Sequence, residues 1–145
     1  MSVTSEQEAI RIMNLGYIKM DEVLQYVQLS DVWQITRANP KVIEQAYKNA
    51  QSYLESQLGA LYDLDAEFLK IGNQRDSGLV RMFSVLTANE IFGIAKMTNF
   101  SLNKIVNKVM LHISDAKQGS FRVLKNNYKD DATLPELISG SGNWT

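Results

Sequence analysis

The chain has 145 residues, 45% hydrophobic and 21% charged, with a formal net charge of −1. That is enough apolar material for one globular domain with its own core, and the charge supplies no bulk attraction to nucleic acid or to an anionic membrane. With no cysteine, disulfides and thiolate metal sites are excluded. No apolar run approaches the ~18 residues that a membrane span needs. The opening MSVTSEQEAI lacks a basic region followed by an apolar run, so no signal peptide is expected. The chain reads as soluble and cytoplasmic when made.

Taken in order, Thr4 or Ser5 starts a first helix, with Ser5 and Glu8 at capping-box spacing and Gly16 as its stop. A second short helical run covers about 20–28, and Ser30 opens a turn or short helix through Val32, Trp33 and Ile35. The stretch NPKVIEQAYKNAQSYLESQLGALYD, from Asn39 to Asp63, organises the rest. Asn39 is placed to cap it and Pro40 to occupy its first position. Val42, Ile43, Ala46, Tyr47, Ala50, Tyr53, Leu54, Leu58 and Leu61 recur at the three-and-four spacing of one buried stripe.

A connector follows over 62–73, with one apolar turn at Phe68, Leu69 and Ile71. Asp63 is expected to cap a turn or to pair with Arg75 or Arg81. Asp76 or Ser77 caps a helix over about 78–97 that is apolar around more than half its circumference, and so the most buried. In it, Gly78 and Gly93 weaken the helix or admit a close neighbour. Ser101 caps a final helix over 102–117, with Ile105, Val106, Val109, Met110, Ile113 and Ala116 inward and Gly119 at its end. The expected fold is all-α, a small antiparallel bundle built on helices at about 40–60, 78–97 and 102–117. A helical domain over 1–120 then gives way to an extended arm over 121–145, which carries Phe121, Leu124, Tyr128, Leu134, Leu137, Ile138 and Trp144.

Little in the sequence points to reaction chemistry. His112 is the only histidine, and catalysis or metal binding would need partners for it. The run Asp63-Leu64-Asp65-Ala66-Glu67 starts like a calcium loop. It then places Phe68 where glycine is required and Gln74 where a bidentate glutamate belongs. Phosphate-binding loops, nucleophile elbows and paired-histidine motifs are absent from the sequence, so neither an enzyme nor a cofactor is expected. Residues 20–39 can be read as helix-turn-helix with Ser30–Arg37 as recognition helix. Arg37 and Lys41 supply little of the phosphate contact that DNA affinity needs. The segment 101–129 is more basic, with Lys104, Lys108, Lys117, Arg122, Lys125 and Lys129 against Asp115 alone. It is either a solvated face or the lining of a channel through which DNA passes.

The order of these elements resembles one family, the helical head–tail adaptor or connector proteins of tailed bacteriophages. The resemblance is carried by the lead-in MDEVLQYVQLSDVWQIT, then IEQAYKNAQSYLESQLGALYD with its Leu-Tyr-Asp turn. After these come the apolar helix opened by Asp76 and NKIVNKVMLHISDAKQGS closing on Lys-Gln-Gly. It covers about residues 20–120. The helix at 5–15 is extra relative to the shortest members, and Leu61 stands where some members have arginine before Tyr62. The resemblance implies a non-enzymatic virion protein at the head–tail junction, made in the host cytoplasm. Its implied partners are further copies in a ring, often of twelve, then the portal protein and the tail or further connector proteins. Double-stranded DNA passes through such a ring without sequence-specific contact, and no membrane is involved. The alternative function is a helix-turn-helix-like DNA-binding regulator.

Overall fold

Apolar residues at helical spacing generate an all-α bundle, seen in a computed structural model that describes residues 5–118. In chain order the helices are α1 (Ser5–Arg11), α2 (Met20–Val23), α3 (Leu29–Ala38), α4 (Val42–Leu58), α5 (Leu64–Glu67), α6 (Ser77–Ile94) and α7 (Phe100–Lys117). A 3-10 turn, Gly72–Gln74, leads into α6. The expected arm residues, Phe121 to Trp144, lie outside the described residues, as does Gly119.

Helix α6 is the centre of the bundle. Leu79 and the unbroken run Met82–Ala88 are buried, as are Ile91 and Phe92, because α4, α7 and α2 all pack on it. Its start follows the sequence: Asp76 accepts a hydrogen bond from the Leu79 N–H at 2.9 Å. The buried stripe of α4 is also as expected, with Val42, Ile43, Ala46, Ala50, Leu54 and Leu58 inside and Tyr47 and Tyr53 half-buried. Helix α7 lies beside both, burying Leu102, Val106, Val109, Ile113 and Ala116. It runs parallel to α4: Tyr53 Oη meets Met110 Sδ at 3.3 Å, and Lys117 Nζ reaches Gln57 Oε1 at 3.0 Å.

Several boundaries differ from the sequence expectation for local reasons. Asn39 does not cap α4. Its side chain accepts from the Lys41 N–H at 3.2 Å and its carbonyl from the Val42 N–H, so Asn39-Pro40-Lys41 is a turn in front of the helix. Asn99, rather than Ser101, caps α7, because Asn99 is the extended residue and its Oδ1 meets the Leu102 N–H at 3.0 Å. Helix α2 is a single turn. The chain over 24–27 continues in tighter turns that bury Val27, and α3 then begins at Leu29.

Helix α6 stops at Ile94, three residues early. Lys96 takes a left-handed conformation (φ 57°), while the Met97 N–H bonds to the Phe92 carbonyl and the Lys96 N–H to that of Gly93. This is the Schellman ending that glycine usually supplies. A Cβ at Gly93 would meet nothing within 4 Å, so that glycine admits no neighbour and only weakens the helix.

Gly16 also has a different role from the expected helix stop, since α1 already ends at Arg11. It sits at φ +137° in the turn before Tyr17, and a Cβ there would come within 2.6 Å of Tyr47 Oη. Both the conformation and the close approach require glycine. At the start of the chain the Glu8 carboxylate pairs with Arg11, one turn on, instead of reaching back to Ser5.

Candidate interaction surfaces and the polar junction

The most elaborate polar arrangement sits where the α1–α2 connection meets the α5–α6 connection. Glu67, at the end of α5, is fully buried. Its Oε2 accepts from Tyr17 Oη at 2.5 Å and from the Asp76 N–H at 2.7 Å, and its Oε1 meets Lys70 Nζ at 3.0 Å. Arg75 makes a two-pronged pair with Glu22, at 2.7 and 2.8 Å, and also donates to the Tyr17 and Gly72 carbonyls. Glu22 in turn accepts from the Lys19 N–H at 2.9 Å, so it starts α2 and grips Arg75 together. The Tyr17 N–H donates to Tyr47 Oη at 2.8 Å, which ties the same loop to α4.

Beneath this network lie four rings. Tyr47 stacks on Phe83 with centroids 4.8 Å apart, and Phe68 packs edge-on to Tyr17 and Phe83 at 5.1 and 5.6 Å. Offset and edge-to-face pairs of this kind add to what burial alone contributes.

The titration behaviour follows from these partners. Burial by itself would raise the Glu67 carboxyl, but hydrogen bonds from Tyr17, the Asp76 N–H and Lys70 outweigh it and hold the group below its ordinary value. The same competition, won by Arg75 and the Lys19 N–H, lowers Glu22. Burial and then the Glu67 carboxylate push the Tyr17 phenol up, so it stays a donor throughout the physiological range. A carboxylate so fully engaged is a fastener.

Sequence reasoning missed this junction, since its pairs join residues about fifty positions apart with no local signal. Asp63 does cap a turn, accepting from the Ala66 N–H at 3.2 Å, while Arg75 is paired to Glu22. The expected apolar turn divides: Phe68 is packed inward, whereas Leu69 and Ile71 are 83% and 74% exposed. They protrude from a loop fixed on both sides by Glu67 and Arg75.

A second exposed surface runs along α7. Phe100 (80% exposed) and Leu111 (65% exposed) are eleven residues apart, three helical turns, and so share one face. Lys104 and Lys108 lie exposed on the same side, whereas Lys117 projects from the other flank beside Gln57. Arg122, Lys125 and Lys129 lie outside the described residues. The stretch considered as a recognition helix forms part of α3, where the Arg37 guanidinium stacks over the Trp33 ring at 4.5 Å.

Among the described residues no helix is long and apolar enough to cross a membrane. No known family, curated protein or solved structure matches the chain.

Proposed function

We propose that the chain is a structural subunit of the head–tail junction of a tailed bacteriophage, a connector that assembles as a ring beneath the portal. Such a ring extends the DNA channel and docks the tail or the next ring, and the chain acts there as a building block rather than a catalyst. The order of sequence elements quoted above motivates this reading. The observation in the fold that best supports it is the exposed apolar pair Leu69 and Ile71, carried on a loop that is separate from the basic face of α7. A closed ring is a heterologous assembly in which each subunit meets its neighbours through two different surfaces. In this reading Lys104 and Lys108 face the channel, and the arm over 121–145 crosses to a neighbour or to the portal.

Light scattering on the full chain and on a chain lacking 126–145 tests the proposal, with portal rings present and absent. The full chain is expected at a multiple of the subunit mass, at the latest once portal rings are added, and the shortened chain as a folded monomer. Unchanged assembly of the shortened chain would remove the arm from the account. A full chain that stays monomeric beside portal rings would remove the connector reading.

A further inference from the structure

A cleft of about 680 Å3 separates the α1–α2 connection from the loop that leads into α6. Asn14, Tyr17 and Lys19 stand on one wall, and Ile71, Asn73 and Arg75 on the other. The two walls are tied together, since Arg75 donates to the Tyr17 carbonyl at 2.9 Å and pairs with Glu22. An engineered cavity of about 150 Å3 holds a benzene molecule, so this cleft has room for a branched aliphatic side chain and the backbone that carries it.

The loop wall bears Leu69 and Ile71, the two most exposed large aliphatic side chains among the described residues. Ile71 lines the cleft, and Leu69 stands two residues before it. The loop is anchored at one end by the Glu67 carboxylate and at the other by Arg75. A loop already held in place loses little further freedom when it docks, which favours binding.

Charge is divided across this patch. Lys70 is paired with Glu67, and Arg75 with Glu22, so neither cation contributes a net charge. Asp65 and Lys19 do contribute. Asp65 stands four residues before Leu69, and the bond from the Phe68 N–H to the Leu64 carbonyl keeps that turn helical. Both residues therefore point outward from α5, on the side away from the buried Glu67. Lys19 lines the opposite wall of the cleft. Asp65 and Lys19 are exposed, and neither forms a salt bridge among the described residues. Asp21 is exposed on α2 but does not line the cleft. Across the surface the order is acid, apolar pair, cleft, base.

Such a patch complements a copy of itself turned about a two-fold axis. Protrusion and cleft share Ile71, so they lie on one surface, and two copies exchange both contacts at once. That is the isologous arrangement of a symmetric dimer.

We infer that two copies of this chain pair about a two-fold axis through this patch. Leu69 of each copy enters the cleft of the other beside its Ile71, and Asp65 of each meets Lys19 of the other. The patch is small, so the pair is weak and forms only at high protein concentration. The inference stands apart from the connector reading, because it concerns the free chain. A ring that uses the Leu69–Ile71 loop would form only after the pair opens.

Sedimentation equilibrium on the full chain, without portal rings, tests the pairing. The mass is expected to rise with concentration from 16.4 kDa toward twice that value and to stop there. Leu69→Asp changes a side chain that is 83% exposed, so the fold is expected to persist by circular dichroism while the rise disappears. Lys19→Glu and Asp65→Lys are each expected to weaken pairing severalfold. The double variant is expected to restore it, because the reversed charges meet again across the axis. A monomer at every concentration would overturn the inference, and so would a Leu69→Asp chain that still pairs or a double variant no better than either single one. A mass that climbs past the dimer would also overturn it, by making the contact head-to-tail. The native chain has no cysteine, so Leu69→Cys and Asn73→Cys on separate chains give a second reading. Their mixture is expected to form the mixed disulfide faster than either chain forms its own, and equal rates would contradict the seating of Leu69 in the cleft. Assembly on portal rings is read separately, so failure of the connector reading leaves these results standing.

Discussion

The α4–α6–α7 bundle and the junction around Glu67 are held by different forces. The bundle is continuous apolar burial, with Leu54, Leu58, Leu79 and Ile91 all closed to solvent and no specific pairing required. The junction is a small set of directed bonds, in which a single buried carboxylate fastens Tyr17, the start of α6 and Lys70. Burial is forgiving of exact geometry, while a buried carboxylate is tolerated only when its lone pairs are used. The bundle therefore supplies most of the stability, and the junction determines how the N-terminal helices and the Leu69–Ile71 loop are set against it.

Substitutions can separate the two regions. Leu54→Ala, a cavity in the bundle, is expected to cost about 2–5 kcal/mol in chemical denaturation; a loss below ~1 kcal/mol would mean that the bundle is not the main store of stability. Glu67→Ala strands the Tyr17 hydroxyl and the Asp76 N–H, with an expected cost of about 3 kcal/mol.

The charge of Glu67 has its own signature. Its folded value lies below its unfolded one, so its contribution is complete above about pH 4.3 and is lost as pH falls through the folded value. Glu67→Gln keeps the volume and should flatten the acid limb of the stability profile. An acid limb identical to that of the native chain would show that the carboxylate is not a fastener. Gly16→Ala meets both the positive φ and Tyr47 Oη, for an expected loss of about 1–3 kcal/mol. The smallest effect, with opposite sign, is Gly93→Ala in open space on α6, expected to add about 0.5–1 kcal/mol in thermal or chemical unfolding.

The same division explains what can be read from the sequence. The bundle is legible because a buried stripe repeats every three or four residues, and Val42 to Leu58 shows it within one segment. Asp76 is legible as a cap because its partner is three residues away. The starts of α4 and α7 are displaced because Asn39 uses its oxygens in the Asn39-Pro40-Lys41 turn while Asn99 caps α7 ahead of Ser101, and spacing alone does not choose between a turn and a cap. The Arg75–Glu22 and Tyr17–Glu67 pairs have no local signature. Of the basic residues expected to act together, Lys104 and Lys108 do share a face of α7. Lys117 stands nine residues beyond Lys108, about half a revolution around the helix, which turns it toward Gln57 on α4 instead.

The measurement that tests the connector reading most directly is the particle mass of the full chain together with negative-stain views of the same sample, alone and with portal rings. The account predicts closed rings with a central hole, formed by the chain itself or on the portal. A chain that stays monomeric and leaves portal rings bare would contradict it.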